Sequence, residues 1–84
     1  MKKESVKRLL TEMIDREFQT DEIADVFYHI DHYLFSIRES KRESETDNYR
    51  EFWGSQIPVY RKWLEECLEK YSLDYSLEEI EAKF

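Results

Sequence analysis

The stretch DNYREFWGSQIPVYRKWLEECLEKY, residues 47–71, contains the only glycine and the only proline of an 84-residue chain, four places apart. Its apolar residues, Val59 apart, are Tyr49, Phe52, Trp53, Ile57, Tyr60, Trp63, Leu64, Cys67, Leu68 and Tyr71. At about 100° per residue they all fall within an arc of about 160°, the signature of one helix face, and the phase passes through the proline unchanged. Pro58 nevertheless removes one backbone hydrogen bond and collides with the carbonyl of Gly54, a cost of about 3 kcal/mol in a helix interior. Two arrangements are compatible with this pattern. Either one kinked helix spans 47–71, or two helices meet at GSQIP with Pro58 in the first turn of the second, where proline is tolerated. The coincidence of glycine and proline favours the break.

Upstream, Val6, Leu9, Leu10, Met13, Ile14 and Phe18 recur at helical spacing with Lys7, Arg8, Glu12 and Asp15 opposite, which predicts a first helix over 4–18. Thr20 offers a side-chain oxygen to free amides, and Asp21 and Glu22 suit the positive end of a helix dipole, so a second helix is expected from 21 to about 42. Its inward stripe is Ile23, Val26, Phe27, Ile30, Leu34 and Ile37. The segment RESKRESETD, 38–47, has no apolar residue and reads as a solvated helix end and a polar loop at about 40–47, with Ser44, Thr46 or Asp47 capping the third helical segment. Near the end, Ser76 and Glu79 form a capping box flanked by Tyr75 and Ile80, which predicts a short last helix over 77–83.

One glycine and one proline leave almost no material for hairpin turns or phosphate loops, so the fold expected is all-α. It is a small antiparallel bundle of three to four helices forming one domain over 1–84. A globule of this size buries only about 60–65% of its unfolded surface and has little room for a deep catalytic cleft. One cysteine excludes an internal disulfide and fits a reducing compartment, and no apolar run approaches the roughly 18 residues needed to span a bilayer. A soluble, cytoplasmic protein is expected. Lys and Arg number 13 against 20 Asp and Glu, a formal net charge of −7. Residues 1–42 hold eight basic and nine acidic side chains and 43–84 five and eleven, so the halves carry −1 and −6. Such a balance repels nucleic acid and suits a basic protein partner.

Candidate chemistry centres on VFYHIDHYLF, 26–35. Asp25, His29 and His32 stand at i, i+4 and i+7, within about 60° of arc, a possible two-histidine, one-carboxylate metal face. That face lies nearly opposite the apolar stripe, so the three side chains are expected in water and not around an ion. Tyr33 flanks the stripe on one side and Tyr28 and Phe35 on the other, widening the apolar arc to more than half the helix. A helix so apolar is either central in the bundle or exposes its rings to a partner. Trp53 and Trp63 are expected in the core, with Trp53 the one at the surface if the bundle is open. Cys67 is expected to be a buried small hydrophobe, its pKa raised by Glu65, Glu66 and Glu69, and not a nucleophile. No Walker loop, dinucleotide fingerprint, HExxH or serine elbow is present, so no enzyme and no cofactor are expected.

Charge, rings and the lack of a catalytic constellation together predict a non-catalytic interaction protein. It would be a small acidic inhibitor, immunity-type protein, adaptor or regulator that meets a larger and basic protein, such as a nucleic-acid-binding one, through Tyr28, Tyr33, Phe35 and Trp53. Alternatives are a homodimeric bundle with a structural role and metal binding through Asp25, His29 and His32.

Overall fold

Of the two arrangements open for residues 47–71, a single helix is the one formed, and the favoured break at Gly54 and Pro58 does not occur. In a computed structural model that describes residues 2–84, the described residues form four helices and no strand: α1 (Lys3–Asp15), α2 (Thr20–Ser40), α3 (Asp47–Lys70) and α4 (Leu77–Lys83). Met1 lies outside the described residues. The all-α bundle expected from the sequence is the fold, and Pro58 sits inside α3. Gly54 keeps a negative φ and faces α2, where a Cβ built on it would stand 4.0 Å from the Cβ of Ser40. The glycine is therefore an ordinary helical residue with room for a side chain and not a chain reversal, and the contacts of α3 along α2 offset what proline costs.

Helix ends explain the other boundary differences. α1 stops at Asp15, before the expected 18, because Glu17 adopts a left-handed φ of 61°. Phe18 N then donates to Met13 O at 2.9 Å and Glu17 N to Ile14 O at 2.9 Å, which closes the helix with a Schellman motif. The same motif ends α3: Ser72 has φ 51°, and Leu73 N donates to Leu68 O at 2.9 Å. Both positions normally hold glycine, and in this chain they do not. α2 begins one residue early because the cap is Gln19 and not Thr20; the Gln19 amide donates to Glu22 Oε1 at 2.8 Å. Thr46 caps α3, its hydroxyl accepting from Tyr49 N at 3.2 Å. Ser76 and Glu79 cap α4 reciprocally, with Glu79 N donating to Ser76 Oγ at 3.1 Å and Ser76 N to Glu79 Oε1 at 3.3 Å.

α2 and α3 pair as a long antiparallel hairpin. Contacts run from Glu39–Tyr49 at its tip, through Phe35–Trp53 and His32–Tyr60, to Asp25–Tyr71 at its base. α1 and α4 close the base. The core there joins Leu9 and Met13 of α1, Val26, Ile30 and Tyr33 of α2, Leu64, Cys67 and Leu68 of α3, Leu73, and Ile80 and Phe84 of α4. Polar ties fasten it: Lys2 N donates to Phe84 O at 3.1 Å, and the Arg16 guanidinium donates to the carbonyls of Tyr71 (2.6 Å) and Ser72 (3.2 Å).

Beyond the base the hairpin stands as a two-helix arm. No residue of α3 from Asp47 to Trp63 is buried. The radius of gyration is 13.8 Å, against about 11.9 Å for a compact 84-residue domain, and the extents are 44 × 23 × 21 Å. At the tip, Glu39 is only 3% exposed, although the sequence places it in a solvated stretch. It accepts hydrogen bonds from Tyr49 Oη and Arg42 Nη1, each at 2.8 Å. The Tyr49 hydrogen bond, with Arg42 behind it, holds the Glu39 carboxyl below its ordinary range.

α2 is buried on two sides, and this overturns one expectation. The stripe of Ile23, Val26, Phe27, Ile30, Leu34 and Ile37 packs against or forms the core. The polar-looking side carrying Asp25, His29, Ser36 and Glu39 is covered by α3, with Ser36 fully buried and its hydroxyl donating to Tyr33 O at 2.7 Å. The histidine face expected in water is part of the α2/α3 seam.

Candidate functional site

Along one flank of that seam aromatic rings succeed one another. Tyr28 stacks on His32 with centroids 4.0 Å apart, His32 lies 5.8 Å from Tyr60, and Tyr60 meets Trp63 edge-on at 5.5 Å. His32 Nδ1 donates to the Tyr28 carbonyl at 3.0 Å, which fixes the imidazole under the tyrosine ring. Toward the tip Phe35 meets Trp53 edge-on at 5.0 Å, and Trp53 meets Phe52 at 5.3 Å. A cavity of about 280 Å³ lined by Asp31, His32, Phe35, Trp53 and Tyr60 lies between the two groups. Tyr28 is 54% exposed, Phe52 56% and Trp63 46%.

Of the residues singled out from sequence, Tyr28, Phe35 and Trp53 lie on this flank, Tyr28 exposed and the other two half-buried. Tyr33 does not. It is 1% exposed, at the centre of the core stripe with Val26 and Ile30, and its hydroxyl donates to Glu81 Oε1 at 3.2 Å. Burial, chiefly, raises its pKa, so it stays a neutral donor. It is therefore a packing residue and offers no surface to a partner. Trp63, expected in the core, is the more exposed tryptophan. Phe52 and Trp63 both mark the outer edge of the 160° arc of α3; that position, with Val59 on the same line, was the available signal that they face outward.

The expected metal face of Asp25, His29 and His32 is divided. His32 belongs to the aromatic row, whereas His29 and Asp25 meet Cys67 of α3. One donor atom from each of Asp25, His29 and Cys67 lies within 4.8 Å of the others. His29 Nε2 is 3.3 Å from Asp25 Oδ1, while Asp25 Oδ2 accepts from Tyr71 Oη at 2.9 Å. The three line an open cavity of about 410 Å³ with Trp63, Glu66 and Lys70. Burial, then the Asp25 carboxylate, pushes the Cys67 thiol up to about 11. The cause is burial and a carboxylate across the seam, and not the glutamates beside it in sequence. At neutral pH the group is a protonated thiol.

The chain matches no protein-family model, no curated protein and no solved structure. Among the described residues, no helix is long and apolar enough to cross a membrane.

Proposed function

We propose that the protein is a non-catalytic binding module, a small acidic inhibitor, adaptor or regulator that docks the aromatic flank of its α2/α3 hairpin on a larger, basic protein in the cytoplasm. The observation that carries this reading is the set of exposed rings, Tyr28, Phe52 and Trp63, along the α2/α3 hairpin. Tyrosine and tryptophan contribute large rigid contact area at little entropic cost and dominate binding hot spots. Exposed apolar patches of this kind mark interaction sites on small soluble proteins. A net charge of −7 steers association toward a positive surface.

A second reading is a homodimer in which two arms pair about a two-fold axis and build a four-helix bundle; the absence of any buried residue from Asp47 to Trp63 favours it. Sedimentation velocity at micromolar concentration separates the two, with a 10.4 kDa species expected for the foreign-partner reading and a doubled mass for the homodimer. Affinity capture from the native host then tests the first. A protein retained by wild type and lost from Tyr28→Ala/Trp63→Ala supports it, and equal retention by the double variant refutes it.

A further inference from the structure

We propose that Asp25, His29 and Cys67 form a binding site for a divalent zinc-class ion that clamps α2 to α3 at the base of the hairpin. The inference stands on the side-chain geometry of the seam and is independent of the protein-binding reading.

The donor set is a carboxylate, an imidazole and a thiolate, a mixture that suits a borderline-soft metal and not magnesium or calcium. Two anionic donors and one neutral donor balance a dication, so the loaded site carries no net charge. Geometry agrees. Bond lengths of about 2.0–2.1 Å to oxygen and nitrogen and about 2.3 Å to sulfur place the donors of a tetrahedron about 3.3–3.7 Å apart. His29 Nε2 and Asp25 Oδ1 already stand at 3.3 Å, and all three donors lie within 4.8 Å, so a side-chain rotation brings them to coordination distance.

Two further features belong to metal sites. Asp25 is oriented from behind: Tyr71 Oη donates to Oδ2 at 2.9 Å and leaves Oδ1 toward the ligand position. The donors also come from two helices, His29 and Asp25 one turn apart on α2 and Cys67 from α3, as they do in bundle metal sites. The fourth tetrahedral position opens on the cavity lined by Trp63, Glu66 and Lys70, where water completes the shell and Glu66 offsets the charge of Lys70. Binding forms a metal–sulfur bond and releases the Cys67 thiol proton to solvent; no electron is transferred.

The test is titration of the reduced protein with cobalt(II), whose thiolate complexes absorb by sulfur-to-metal charge transfer. One equivalent is expected to produce that absorption together with the strong visible bands of tetrahedral cobalt, and zinc is expected to bleach both. Cys67→Ser should abolish the charge-transfer absorption, His29→Ala should weaken binding about tenfold or more, and His32→Ala should leave it unchanged. Zinc should also raise the melting temperature of wild type by several degrees, and by much less in His29→Ala. No charge-transfer absorption in wild type at saturating cobalt overturns the proposal whatever the variants do. So does wild-type affinity in His29→Ala.

Discussion

Replacing Gly54 by alanine separates a continuous α3 from a broken one more sharply than any other single substitution. In a helix interior glycine is about 0.8–1.0 kcal/mol less favourable than alanine, because it loses more backbone entropy on folding. The new methyl has room, since the nearest atom outside the local helix is Ser40 Cβ at 4.0 Å, an ordinary van der Waals separation. The backbone is not left-handed there, so alanine meets no conformational penalty. Gly54→Ala is therefore expected to stabilise the protein by about 1 kcal/mol. For a domain of this size that corresponds to a rise of about 4–8 °C in melting temperature. Circular dichroism at 222 nm during thermal and urea unfolding measures it, with an unchanged urea m-value confirming that both variants unfold from the same compact state. Had α3 ended at Gly54 with a left-handed glycine, alanine would cost about 1–2 kcal/mol instead. A melting temperature lowered by several degrees would refute the continuous helix.

Particular residues elsewhere in the fold carry further expectations. Glu17→Gly should stabilise by about 1 kcal/mol in thermal unfolding, because the left-handed φ of 61° strains any residue with a Cβ. Leu64→Ala, at a fully buried position where α3 enters the core, should cost about 2–5 kcal/mol by urea unfolding; a loss under 1 kcal/mol would contradict that packing. The lowered pKa of Glu39 sets a pH dependence: its contribution is complete above the ordinary value of 4.5 and is lost as pH falls through the lower folded value. In melting curves from pH 6 to pH 2, Glu39→Gln should therefore flatten the decline that wild type shows below about pH 4.5. With its pKa moved from 9.0 to about 11, Cys67 carries about a hundredfold less thiolate at pH 8 than an ordinary thiol. Native protein should therefore react slowly with a thiol-specific disulfide reagent and rapidly in urea.

Much of the fold was legible in the sequence because helical periodicity reports which residues share a face. The apolar phase running through Pro58 held the correct answer, and the pairing of glycine with proline argued against it. Gly54 keeps an ordinary negative φ, and a methyl there would only touch Ser40, so the glycine marks no chain reversal. The capping box at Ser76 was legible because its partners are three residues apart. The Schellman closures at Glu17 and Ser72 were not, since neither position carries the glycine that announces them. Hydropathy misleads most on α2. A polar stripe of Asp25, His29, Ser36 and Glu39 looks solvated when hydropathy alone is weighed, yet a helix in a hairpin needs a second buried side. Small or hydrogen-bonded polar residues serve there once a neighbouring helix supplies partners such as Tyr71 for Asp25 and Tyr49 for Glu39. That rotation of the buried arc carried Tyr33 into the core, His29 against Cys67, and left Trp63 outside.

The docking role of the aromatic flank is tested most directly by a photo-crosslinking amino acid placed in the living host at position 28 or 63, with position 7 on α1 as the control. Tyr28, Trp63 and Lys7 are all exposed, so the comparison isolates the surface and not accessibility. Both positions on the flank should trap the same larger, basic protein, and position 7 should trap none of it. Crosslinks to a second copy of the chain, or equal yields from all three positions, would contradict the proposed interface.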